Sequence, residues 1–427
     1  MHTRAHGSAL AVHIIEHHQV RELRVSALAA AEPTSPTCQL EALLAELGAL
    51  LATTRLHEQD VVRCTVFFAG SGGGSVDLAL RHDLAMLLRR RWPSGKGAAP
   101  AISLVQQSPL GGGSVALDLL ALAAGAGELR LLRRSSAHGT AVTLGALRRA
   151  FLVIAPGPAG PEPRNMEAEG RAALGLAEAE LLRFGFGLDQ VLRTWFYIPG
   201  ILERSGASQR YQQLNEARSR FYERPRPHRF LERLLPPGHG GGPGAGGYPA
   251  STGIGAEAGP LVLELEALDA PPGQAVAFPI ENPRQLSAYR YPGDVLVGDG
   301  APAPPRFSRG LVELSEGLAR VRVSGTASIR GSSTMHPGDV AAQTATTLET
   351  IELLVSAANL ARHGLARGLT LGELAQLRIY VKRPEDLPVV SALCTARCGA
   401  IPMLYLQADI CRDDLLVEIE AFGAFPL

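Results

Sequence analysis

Leu261-Val-Leu-Glu-Leu-Glu-Ala267 alternates apolar and acidic residues, and about 150 residues later Leu416-Val-Glu-Ile-Glu-Ala421 does so again. Alternation of this kind is the period of a strand with one face in a core. Each stretch closes a similar series of helix, strand, Pro-containing turn, helix, loop and strand. In the first series Ala172, Leu176, Leu181 and Leu182 fall at helical spacing, Val191–Ile198 reads as a strand closed by Pro199-Gly200, and Tyr211–Tyr222 reads as a helix. In the second, Ala319–Ser324 reads as a strand, and a helix opens at Pro337. Val340, Thr344, Leu348, Ile351, Val355 and Ala358 lie along one face of that helix. Leu377–Lys382 is then a strand ended by Arg383-Pro384, Leu387–Arg397 a short helix, and Met403–Ala408 a strand. So long a repeat indicates duplicated domains, because solenoid repeats run to about 20–50 residues.

Two amphipathic α+β units must each hide a second sheet face. The expected architecture therefore packs sheet against sheet with helices outside, and the junction is a natural ligand cleft. Residues 161–275 form the core of the first repeat, 276–305 a Pro- and Gly-rich linker, and 306–427 the second repeat. Residues 1–160 carry a weaker pattern and are assigned to the N-terminal domain. Within them Asp60–Phe68 reads as a strand, and Gly72–Gly74 and Gly111–Gly113 read as turns. Pro225–Gly247 reads as a loop.

The 427 residues hold 41 basic and 41 acidic side chains, so the basic excess usual in nucleic-acid binders is absent. Only Lys96 and Lys382 are lysines. The arginine excess suits a site that grips carboxylates in planar forks. Five cysteines do not make a disulfide framework, and the longest apolar stretches are broken by Gly and charge. These features predict a cytoplasmic protein with no membrane segment. His13-Ile-Ile-Glu-His17 and the Cys394/Cys398 pair are weak metal signals without further ligands, so no metal is expected.

Ser324-Gly-Thr-Ala-Ser328, Gly338-Asp-Val-Ala-Ala-Gln-Thr344, Leu369–Lys382 and Leu416–Ala421 resemble the Rid (YjgF-like) family, over nearly all of the last 120 residues and more weakly over 165–267. That resemblance implies an α+β, chorismate-mutase-like fold, usually trimeric, with sites between subunits. It does not extend to imine hydrolysis, because Ile401-Pro-Met-Leu404 and Tyr248-Pro-Ala-Ser-Thr252 lack the arginine those deaminases carry. Arg193–Pro199, Asn215–Tyr222, Tyr248–Gly255, Phe307-Ser-Arg-Gly310 and Ala408–Glu418 together resemble the chorismatase family. Its members split chorismate into pyruvate and a cyclic product, either a dihydroxycyclohexadiene carboxylate or a hydroxybenzoate.

The resemblance implies that Glu418 is the catalytic acid and that Cys411 steers the product toward 3-hydroxybenzoate. Ala327 beside that cysteine is a mixed signature, consistent with 4-hydroxybenzoate as well. Chorismate is a dianion, so arginines are needed near the acid, and Arg309, Arg193 and Arg218 are the candidates. Tyr211, Ser251, Thr252 and Gly253 are expected to add donors. No cofactor is implied. A monomer with internal pseudo-symmetry is expected, because fused units do what subunits do in a trimer. An imine deaminase and a module that only binds an aromatic acid are the alternative readings.

Overall fold

A computed structural model describes residues 2–4, 9–17, 20–32, 34–70, 76–93, 99–125, 131–157, 165–206, 208–224, 231–232, 234–235, 247–298 and 302–427. Gly72–Gly74 and most of Pro225–Gly247 lie outside these residues.

Three six-stranded sheets share one strand order. In the first unit, β1 (His2–Arg4), β2 (Ala9–His17), β3 (Val20–Leu28), β4 (Val61–Phe68), β5 (Ala101–Gln106) and β6 (Val115–Ala124) pair as β1-β2-β3-β6-β4-β5. Helices α1 (Pro36–Thr53) and α2 (Leu78–Arg91) flank β4 in sequence. The second unit repeats the pattern with β7 (Leu131–Ser136), β8 (Gly139–Leu144), β9 (Leu147–Ile154), α3 (Met166–Phe184), β10 (Val191–Pro199), α4 (Arg210–Tyr222), β11 (Ala250–Ala256) and β12 (Val262–Asp269). The third has β13 (Ala275–Ile280), β14 (Gly310–Ser315), β15 (Leu318–Ala327), α5 (Val340–Val355), β16 (Gln376–Val381), α6 (Leu387–Cys398), β17 (Met403–Gln407) and β18 (Val417–Pro426). The edge strands β5, β11 and β17 run parallel to β4, β10 and β16, and each of these crossovers carries a helix.

The α+β class, the helices outside and the sheets packed within are as the repeat predicts. The number of units and their boundaries differ from the expectation. The described residues between 2 and 124 form a unit of their own, and the second unit opens at residue 131 rather than 161. The 276–305 linker likewise begins inside β13, the first strand of the third sheet. The first unit escapes detection because β6 reads Val-Ala-Leu-Asp-Leu-Leu-Ala-Leu-Ala-Ala. Only Asp118 interrupts its apolar run, because Leu120 stands where β12 and β18 carry their second glutamate, so the alternation that marks those strands is lost. The helix expected from Pro337 starts at Val340, capped by the Asp339 side chain on the Ala342 N–H.

One face of each sheet packs against its own helices. In the third unit Val417, Ile419 and Phe425 meet Leu348, Ile351 and Leu354 there. The opposite faces meet one another. Phe67, Ala116, Trp195, Tyr197, Ile254, Tyr380, Leu406 and Ile410 form one buried cluster drawn from all three units. Isolated bridges Gln106–Ala258, Ala250–Ser308 and Pro109–Leu406 tie first unit to second, second to third and third to first.

A buried ion network follows the same cycle. Arg63, Arg193 and Arg378 hold equivalent places on β4, β10 and β16, opposite Leu120, Glu266 and Glu420. Arg63 reaches Glu264 of the second unit at 3.4 Å, Arg193 reaches Glu420 of the third at 2.9 Å, and Arg378 reaches Asp118 of the first at 3.1 Å. Removing one partner from such a buried pair typically costs about 3–5 kcal/mol, which holds the three units in one register. Among the described residues no helix is long and apolar enough to cross a membrane.

Candidate active site at the junction of the second and third units

Along β18, Val417, Ile419 and Ala421 belong to the helix-side core. Glu418 and Glu420 therefore share the opposite face, toward the other units. Both are buried, at 5% and 6% exposure. Glu418 lies in the wall of a cavity with about 730 Å³ of empty volume, its mouth included. Tyr211, Arg218, Ser251 and Gly253 of the second unit line it, together with Arg309, Gly325, Ala327 and Cys411 of the third.

The backbone opposite Glu418 is shaped to admit its side chain. The ladder between β15 and β18 shifts register between Val323 and Thr326, a bulge beside the site. A Cβ on Gly325 would stand 2.0 Å from Glu418 Oε1. Only glycine leaves that volume to the carboxyl group.

Glu418 makes no hydrogen bond or ion pair among the described residues, and its pKa is pushed up to about 8. Burial is the main cause and the neighbouring Glu420 charge adds to it, against the weaker opposing pull of Arg193 and Arg309. The equivalent acids in the other units are differently placed. Asp118 accepts from Arg63 at 2.7 Å and from Gln376 at 2.7 Å and pairs with Arg378, and these arginines hold its pKa below the usual carboxylate range despite burial. Glu264 accepts from Thr65 at 2.9 Å, from Ser103, and from Arg63 at 3.4 Å. Of three equivalent carboxyl groups, Glu418 alone is left unpaired among the described residues.

The arginines show the complementary pattern. Eight arginines are buried among the described residues. Six pair with carboxylates: Arg24, Arg63, Arg193, Arg320, Arg322 and Arg378. Arg218 and Arg309 do not, and both line the cavity. Arg309 donates to the Leu286 carbonyl at 3.0 Å and to the Tyr291 hydroxyl, and its Nε has no partner. Arg218 donates to the Arg306 carbonyl at 2.6 Å and to Ser251 Oγ at 3.4 Å, stacks over Phe196, and also has an unpartnered Nε. A buried cation without a counter-charge is costly. Two of them facing one cavity suit a ligand with two negative groups.

Cys411 is half-buried at the same wall, and burial with the Glu418 charge pushes its thiol up to about 12, so it stays protonated. Burial likewise raises the Tyr211 phenol, which keeps its proton as a donor. Ser251 links the units, its N–H donating to Ser324 Oγ at 2.9 Å.

Two candidates lie elsewhere. The Arg193 guanidinium is engaged by Glu420 and by Thr252 Oγ1 at 2.6 Å, and neither Arg193 nor Thr252 lines the cavity. Thr252 alternates with Ser251 and Gly253, so strand geometry sends it to the other face. Arg220 is exposed and pairs with Glu167 at 2.6 Å.

The sequence reading assigned no site role to Tyr291, Phe307 or Arg412, all of which line the cavity. Tyr291 lies in the supposed linker, where Val295–Val297 and Pro305 also form cavity wall. Tyr289-Arg-Tyr291, an aromatic pair inside a Pro/Gly segment, is the one signal that would have drawn attention there. His13 and His17 lie on strand β2, not on a helix. Among the described residues no group of three His, Cys, Asp or Glu side chains is placed to hold a metal.

No family model matches the chain. It is 36% identical over 265 residues to a 3-hydroxybenzoate synthase of Streptomyces hygroscopicus, spanning 60% of this chain and 70% of that protein. It is 34% identical over 259 residues to a chorismatase of the same organism, spanning 60% and 68%. A chorismatase crystal structure superposes with a TM-score of 0.62 at 26% identity, over 86% of this chain and 93% of that one.

Proposed function

The chain belongs to the chorismatase family, and from that premise we propose that it cleaves chorismate to pyruvate and a hydroxybenzoate, with Glu418 as proton donor. The observation that carries the mechanism is a carboxyl group left without a cation beside two guanidiniums left without a carboxylate, in one cavity.

Chorismate carries two carboxylates and an enolpyruvyl ether. Its terminal methylene carbon must take up a proton before the ether bond breaks. A carboxyl group still protonated near pH 7 supplies it, and its raised pKa makes it available there. The C=C electron pair forms the new C–H bond and leaves an oxocarbenium ion at the ether carbon. The resulting Glu418 carboxylate stabilises that charge at close range. The ring C–O bond breaks with its electron pair going to the oxygen, which releases pyruvate, and the ring cation left behind loses one proton as it aromatises to hydroxybenzoate, which restores the protonated Glu418. Substrate and products have the same total composition, so this route consumes no net water and involves no external oxidant. Arg218 and Arg309 each grip a carboxylate and fix the ether over Glu418.

Cys411 brings a neutral, polarizable thiol to the same cavity and steers how the ring collapses. Cys411→Ala is expected to change the ratio of 3-hydroxybenzoate, 4-hydroxybenzoate and diene-diol more than the rate of pyruvate release, as read by chromatography and mass. Gly325→Ala removes the space for the carboxyl. It is expected to lower kcat by about 100-fold, the scale of an ångström misplacement, while the melting temperature stays close to that of the parent.

Three units joined in a cycle complete within one chain what separate subunits would build, so a monomer is the expected species in sedimentation. The proposed activity is tested by incubating the protein with chorismate and following pyruvate and the aromatic product. Unchanged chorismate would contradict the activity. Stoichiometric binding without turnover would leave a binding module.

A further inference from the structure

Resting on the reading of Glu418 as the acid, we infer that Glu420 is a positioning residue for it: by engaging Arg193 and Arg378, Glu420 keeps both guanidiniums off the catalytic carboxyl. Glu420 takes Arg193 at 2.9 Å, Arg378 at 3.1 Å and the Trp195 indole N–H at 2.9 Å, and it also accepts from Thr252. Arg193, Trp195 and Thr252 come from the second unit and Arg378 from β16. Arg193 and Arg378 are therefore engaged one alternation further along the strand than Glu418.

The fold contains its own control. Leu120 stands in the first unit where Glu420 stands in the third, since each lies opposite the conserved-register arginine, Arg63 or Arg378. There the first acid, Asp118, has no second carboxylate beside it on its own strand, although its arginines also reach Glu264 and Glu420 of the other units. It takes both Arg63 and Arg378, and its proton affinity falls accordingly. The second unit is intermediate. Glu266 takes Arg322 at 3.1 Å, while Arg63 lies 3.4 Å from Glu264 and 3.8 Å from Glu266. The three units thus differ in order: no second acid, a second acid 3.8 Å from the shared Arg63, and one that takes Arg193 and shares Arg378 with Asp118.

Removing the Glu420 charge acts on Glu418 twice with one sign. A negative neighbour disappears, and Arg193 loses its carboxylate partner and is free to act on Glu418, while Arg378 stays paired with Asp118. The other groups around Glu418 stay in place, namely Arg309, Arg218, Tyr211 and Cys411 on the cavity side and Tyr380 across the ladder. Glu420→Gln keeps the shape and removes the charge.

The test is the pH dependence of kcat and of KM for chorismate in the parent and in Glu420→Gln. In the variant the alkaline fall in kcat is expected to move about one pH unit or more toward acid. Rate at pH 7.5 then drops about threefold or more and recovers near pH 5.5, with KM changed less than that. Arg193→Gln, which removes a cation instead, is expected to move the same limb toward alkali, and serves if Glu420→Gln does not fold. An unmoved limb in a folded variant, or a loss of rate equal at all pH values, would overturn the inference and leave Glu420 purely structural. A parent enzyme that turns over no chorismate at any pH would instead remove the functional reading. Titrating the Glu418 carboxyl by infrared difference in both proteins then decides the inference by itself.

Discussion

Glu418→Gln is expected to yield a folded protein that releases no measurable pyruvate from chorismate. The amide fills the same space, so Gly325 and the cavity wall are undisturbed, but it cannot deliver a proton to carbon. General acid catalysis is typically worth about 10²–10⁴-fold. Loss of the carboxylate that faces the oxocarbenium ion adds to that, so a fall of at least about 10³-fold in kcat is expected, with KM near the parent value. Stability should move the other way. The folded pKa of Glu418 lies above its unfolded value, so the folded state is favoured while the group is protonated in both states. That advantage is lost as pH rises from about 4.5 toward about 8. At about 1.4 kcal/mol per unit, the parent gives up roughly 3–5 kcal/mol across this window, and Gln does not. The variant should therefore melt higher than the parent at pH 8 and nearly alike at pH 4.5. Equal melting curves at pH 8 would contradict the burial of an ionisable group at this position.

Arg309→Met should raise KM for chorismate steeply. Arg309 is 3% exposed, has no carboxylate partner among the described residues, and keeps one N–H unbonded. Breaking a buried, hydrogen-bonded charge pair with a ligand costs about 2–5 kcal/mol, which is about 30- to 5,000-fold in affinity. Arg218→Met should behave alike, because its guanidinium has the same unpaired status. Lysine at either place keeps charge but not the planar fork, and should recover only part of the loss. Each methionine variant also gives up hydrogen bonds to buried acceptors, the Leu286 and Arg306 carbonyls, so a modest fall in melting temperature is expected beside the change in KM. A KM unchanged in Arg309→Met would show that the guanidinium is structural.

The part of this site on regular strands and helices was legible in the sequence. Val191–Ile198 and Tyr211–Tyr222 are found within a residue as β10 and α4, and they place Tyr211 and Arg218 together. The Glu-Ile-Glu alternation set Glu418 on the face opposite Val417 and Ile419, and the family resemblance, not the alternation, marked it as functional. Alternation also held information that was not drawn on: Thr252 falls between two cavity residues and so had to face away. Arg193 was misplaced for a different reason. Its side chain does point inward, but its partner Glu420 is 227 residues distant in sequence, and no local pattern announces that pairing. Tyr291 and its neighbours come from irregular backbone, where no period exists to read. The first unit was hidden by its residues rather than by its burial, since all three equivalent strands are buried but Leu120 stands where the others carry Glu266 and Glu420. Its role emerges only in three dimensions, where Asp118 shows what Glu418 would become with arginines at hand.

The measurement that bears most directly on the account is the infrared carboxyl band of Glu418, taken as parent minus Glu418→Gln across pH 4 to 10. A protonated C=O band that persists at pH 7 and titrates away near pH 8 is the predicted result. A band already lost by about pH 5, with carboxylate absorption at neutrality, would show an ordinary ionised glutamate unable to hand a proton to carbon.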